Sequence, residues 1–119
     1  MTVSVDIWLR GTEHATTRTI EGIAREPSDW TDTDVRAVLE GMLRVMAQLK
    51  QPGEEPRTIA LRGLSWIVNA YDEGGVVIAI EITLGAAIAG PFHIDKATLE
   101  AMITRVMAPP VAPPSATVH

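Results

Sequence analysis

At 119 residues and 46% hydrophobic content, the chain has the size of one domain and enough apolar side chains for a core that needs no covalent staple. Cysteine is absent, which removes disulfides, thiolate metal sites and cysteine nucleophiles, and fits a reducing, cytoplasmic setting. The formal charge of −5, with arginines and lysines scattered rather than clustered, argues against nucleic acid as a partner, because affinity for phosphates comes from grouped cations.

The first stretch, MTVSVDIWLRG, lacks the basic and apolar regions of a signal peptide. Val3, Val5, Ile7 and Leu9 alternate with Ser4, Asp6, Trp8 and Arg10, the period-two signature of a strand whose odd positions belong to a core. Gly11 to His14 reads as a turn. Thr16 to Ala24 is rich in β-branched residues but holds only Ile20 and Ile23 as large apolar ones, so a weaker edge strand is expected there, bulged at Gly22.

Trp30-Thr31-Asp32-Thr33-Asp34-Val35 is a helix start: Thr31 caps, Asp34 occupies the reciprocal capping-box position, and Trp30 with Val35 forms a hydrophobic staple. The helix runs to about Lys50 with Val35, Val38, Leu39, Met42, Met46 and Leu49 on one stripe, and Gln51-Pro52-Gly53 ends it.

Arg57 to Leu84 reads as a long hairpin turning at Asp72-Glu73-Gly74-Gly75, with Asp72-Glu73-Gly74 as its loop. Leu64, Trp66, Val68 and Ala70 form the apolar set of one arm, and Val76, Ile78, Ile80 and Ile82 that of the other. Only a three-residue loop makes these sets face each other, pairing Trp66 with Ile80 and Val68 with Ile78, and it gives Gly74 the left-handed position that such a loop needs. Upstream, Ile59 and Leu61 are out of phase with Leu64, which points to a bend at Gly63. Gly85 to Gly90 reads as a small-residue loop. A membrane span over Gly74 to Ile94 is disfavoured by Glu81 near its middle and Pro91 near its end, so no membrane partner is expected. Asp95 caps a second helix, with Ile94 and Leu99 as staple and Leu99, Met102, Ile103 and Val106 as the buried stripe. Residues 109–119 are proline-rich and read as a flexible tail after a single domain at 1–108.

The order ββαββα predicts an α+β two-layer sandwich: a four-stranded antiparallel sheet with two helices on one face. At an offset of 60 positions Ile20-Glu21 matches Ile80-Glu81, and Ala37, Leu39, Glu40 and Met42 match Ala97, Leu99, Glu100 and Met102. Internal duplication and shared helix periodicity both account for this.

With both helices on one face, the other carries Trp8, Arg10, Ile67, Asn69, Tyr71 and Glu81. Aromatics among polar groups are the makings of an interface, which predicts a non-catalytic protein–protein interaction module, a homodimer or a binder of another protein. The excess of arginine over lysine and the single asparagine fit a GC-rich bacterial or phage genome. The alternative is a small-molecule-binding protein or small enzyme with a pocket around Glu81, using Asp6 and His93 as further acid or base. His14, His93 and His119 have no metal-ligand spacing, there is no nucleophile elbow, and the Gly85 to Pro91 segment lacks the Lys and Ser or Thr of a phosphate loop. No catalytic residue, metal ligand or cofactor is therefore assigned.

Overall fold

A computed structural model describes residues 1–53, 61, 64–71 and 73–108. Seven principal elements follow one another: β1 (Val3–Leu9), β2 (Thr16–Ile20), α1 (Asp32–Lys50), β3 (Ser65–Ala70), β4 (Val76–Ile82), β5 (Gly85–Phe92) and α2 (Lys96–Met107), with a short 3₁₀ turn at Pro27–Asp29. The sheet is antiparallel throughout, in the order β2-β1-β5-β4-β3. The class is α+β as the pattern predicts, but the sheet has five strands rather than four and the order is ββαβββα rather than ββαββα.

The additional strand is β5, in the segment that reads as a loop. Its residues are mostly Gly and Ala, which neither favour strands nor alternate visibly in size. Tertiary pairing overrides that preference, because β5 is the central strand and its backbone bonds to β1 on one side and β4 on the other. A two-residue turn, Thr83-Leu84, joins it to β4, and the Arg10 N–H donates to the Leu84 carbonyl at 2.8 Å. The inserted strand also removes the twofold implied by an offset of 60. That offset equates inner β1 with edge β3 and edge β2 with inner β4, which no rotation of this sheet achieves.

The β3–β4 hairpin has the predicted register. Trp66 lies opposite Ile80 and Val68 opposite Ile78, the Tyr71 N–H donates to the Gly75 carbonyl, and Gly74 has φ +105°. β2 is the edge strand expected from its composition, though it ends at Ile20 and Gly22 lies beyond it rather than in a bulge. The irregularity lies instead between β4 and β5. Val76 pairs with Phe92 and Ile78 with Ala89, so β5 carries one extra residue around Gly90 and Pro91. The phase change returns Phe92 to the core, where its ring meets Trp30 edge-on at 4.8 Å. The expected bend at Gly63 and the tail at 109–119 lie outside the described residues.

Both helices cover one face. Val3, Val5 and Ile7 of β1, Ile78 and Ile80 of β4 and Ala87 and Ala89 of β5 are buried beneath them, while the residues between these are exposed or half-buried. α1 lies over β1, β2 and β5, and α2 lies over β3 and beside α1. Coverage thins towards β3: Val68 is buried, Trp66 and Leu64 are half-buried, and Ala70 is exposed. Both helices begin where their caps predict. Asp34 accepts from the Thr31 N–H at 2.8 Å, and Asp95 accepts from the Thr98 N–H at 3.0 Å.

Candidate functional site on the open face of the sheet

Because side chains alternate along each strand, the register fixes what the uncovered face presents. Three rows cross it. Trp8, Ala86, Glu81 and Ser65 form the first; Thr17, Asp6, Ile88, Ala79 and Ile67 the second; Thr19, Ser4, Val77 and Asn69 the third. Tyr71 continues the β3 side of the face beyond Asn69. The rim is polar, the middle is small and apolar, and large hydrophobic side chains stand at the margins.

Trp8 is 37% exposed, Ile67 52% and Tyr71 42%; with Met1 they are the exposed large hydrophobic residues of the described chain. Trp8 and Ile67 share a face because β1 and β3 carry them at positions of the same parity as Asp6 and Asn69, and Tyr71 follows β3 at the next such position, its N–H bonded to the Gly75 carbonyl. Leaving a large apolar side chain wet forgoes about 1.5–3 kcal/mol relative to full burial. Scattered singly they would mean little; gathered on one face, they are a surface suited to contact.

Between the first two rows lies an open trough of about 330 Å³ over β3, β4 and β5. Ala79 and Ala86 leave it empty of side chains, Ile67 and Ile88 wall it on one side, and Glu81 and Ser65 supply polar groups on the other. Neither Ile88 nor Ala86 was identifiable as a face residue from sequence, since their segment reads as a loop; the one cue is the faint alternation of Ala86, Ile88 and Gly90 with Gly85, Ala87 and Ala89.

The polar candidates are placed as follows. Arg10 does not pair with Glu81: its Nε donates to the Thr83 carbonyl at 3.1 Å and clamps the β4–β5 turn. Asp6 accepts a hydrogen bond from the Thr17 hydroxyl at 2.6 Å. Asn69 is exposed on the edge strand β3, and Glu81 is exposed at the trough's rim rather than enclosed. His93, exposed between β5 and α2, lies at the opposite end of β4 from Glu81, and Asp6 lies two strands away, so the three do not converge on one point. The two salt bridges among the described residues, Arg25–Asp34 and Arg105–Asp32, belong to the helical layer. Among those residues no group of three His, Asp or Glu could hold a metal ion, and no helix is long and apolar enough to cross a membrane. No protein-family model matches the chain, and no curated protein or solved structure resembles it significantly.

Proposed function

We propose that the protein works by protein–protein contact and self-associates through the open face of its sheet, with Trp8, Arg10, Ile67, Asn69, Tyr71 and Glu81 in the interface. The observation that carries this reading is that Trp8, Ile67 and Tyr71, the exposed large hydrophobic side chains besides Met1 among the described residues, lie on strands or strand ends of the sheet whose other face the helices cover. Trp, Tyr and Arg are the residue types from which interface anchors are most often drawn, and the small apolar centre between them leaves room for a partner's side chains.

Sedimentation equilibrium tests it. The wild type should be dimeric in the micromolar range, and Trp8→Ala or Tyr71→Ala should each weaken the dimer by at least about tenfold, the equivalent of 1.4 kcal/mol, with unchanged circular dichroism. A protein that stays monomeric at high concentration refutes the proposal.

The trough favours a second reading, a small-molecule site with Glu81 as its polar anchor. Its volume of about 330 Å³ stands at the lower end for ligand pockets. On that reading the protein is a monomer that a small apolar amine stabilises thermally, and Glu81→Gln removes the shift.

A further inference from the structure

We infer that two copies of the chain meet about a twofold axis lying along β5, so that Trp8 of each copy enters the trough of the other. This rests on self-association through the open face and adds its symmetry and its seat.

The strand order supplies the first reason. With β5 in the middle, a half-turn about it lays β1 of one copy over β4 of the other and β2 over β3, so every strand finds a counterpart. An axis along any other strand leaves part of the face uncovered.

Register supplies the second. Trp8, Ala86 and Glu81 share a row, so the same half-turn carries Trp8 above Glu81 of the second copy and beside its Ala79, over the trough. The largest side chain on the face thereby meets its smallest ones. A buried indole needs an acceptor for its N–H, and the Glu81 carboxylate stands at the rim to provide it. On the axis itself stand Ala86 and Ile88, and an isoleucine against its own copy suits the usual sheet spacing of about 10 Å.

Area supplies the third. Five strands about 4.8 Å apart, each some seven residues long at about 3.3 Å per residue, present about 500 Å². Two such faces bury about 1,000 Å², the lower bound for a specific interface. Complete overlap is therefore required, and the β5 axis gives it.

The natural absence of cysteine makes the axis directly testable. Ala86→Cys and Ile88→Cys place a thiol next to its own copy across the axis, whereas the two copies of Asn69→Cys are displaced by four strand spacings, about 19 Å. A short bis-maleimide should join the first two variants and not the third. A double-mutant cycle reports on the seat. Ala79→Leu fills the trough and should raise the dimer Kd at least about tenfold, and adding Trp8→Ala should then cost little more, because both changes remove one contact.

Cross-linking at 69, or at none of the three positions in a protein that still sediments as a dimer, overturns the axis and leaves self-association standing. Multiplying effects of Trp8→Ala and Ala79→Leu overturn the seat. A wild type that never dimerises overturns the inference together with the reading beneath it. Circular dichroism establishes that each variant is folded, and two independent positions on the axis guard against the loss of either.

Discussion

Asp34 is the one charged side chain buried among the described residues, and its surroundings explain how it is tolerated. Its carboxylate accepts from the Thr31 N–H at 2.8 Å and the Thr31 hydroxyl at 3.0 Å, and Arg25 lies at 3.2 Å. The Thr31 backbone donor, foremost among these, holds the Asp34 pKa below its ordinary value of 3.8, against the opposing effect of burial. A carboxylate favoured in the folded state adds stability that is complete above the unfolded pKa and is lost as the pH falls through the lower, folded one. Asp34→Ala should therefore cost about 1–2 kcal/mol in urea unfolding at pH 7, and the gap between variant and wild type should close as the pH falls below the ordinary carboxylate value and through the lowered folded one. A gap that persists in strong acid would assign the loss to packing. Asp34 was legible from its place three residues after Thr31, whereas Arg25, in an irregular connection, carries no local signal of its role. Arg105 was equally silent: it forms a two-point contact with Asp32, at 2.8 Å for each bond, joining the last turn of α2 to the first turn of α1. Arg105 lowers the Asp32 pKa, but the pair is exposed, so Arg105→Gln should have a small effect that vanishes in high salt.

At the scale of elements, what the sequence revealed depended on whether a segment's own residues decide its structure. Both helices, their caps and the β3–β4 hairpin were legible because periodicity and turn chemistry agree there. β5 was not, since its strand state comes from the backbones of β1 and β4 and not from its side chains. On the open face, alternation along β1 and β3 therefore placed the exposed Trp8 and Ile67, while the middle, which β5 contributes, was missed. The approach of α1 to β2 is another case of a signal that only the partner explains. Gly41 is buried in α1, and a Cβ there would stand 2.8 Å from Cγ2 and 2.9 Å from Cδ1 of Ile20. Glycine costs a helix interior up to about 1 kcal/mol relative to alanine, so the close approach offsets a local penalty. Gly41→Ala should gain helix propensity yet lose about 1 kcal/mol or more in thermal unfolding, as Ile20 is pushed from its place, and Ile20→Val in the same chain should recover part of it. A stabilised Gly41→Ala would show that β2 yields without cost.

For the whole molecule, charge and association pull in opposite directions. Each copy carries −5, so bringing two together meets a repulsion that salt screens. The proposed dimer should tighten as ionic strength rises from about 0.01 to 0.15 M, the reverse of an interface held by ion pairs, and sedimentation at several salt concentrations reads this directly. The melting temperature should likewise rise with protein concentration in the wild type, and should no longer do so in Trp8→Ala.

The position of β5 also bears on how the chain comes to be made. β1 leaves a ribosome well before the strand that closes its second edge, Val5 pairing with Ala89. Until β5 has emerged, the β1–β2 hairpin therefore keeps the backbone of one β1 edge unpaired, a state prone to pairing with its neighbours. Loop closure over so long a span is slow, so β1 keeps one edge open until Gly85–Phe92 is in place, even after α1 has covered Val3, Val5 and Ile7.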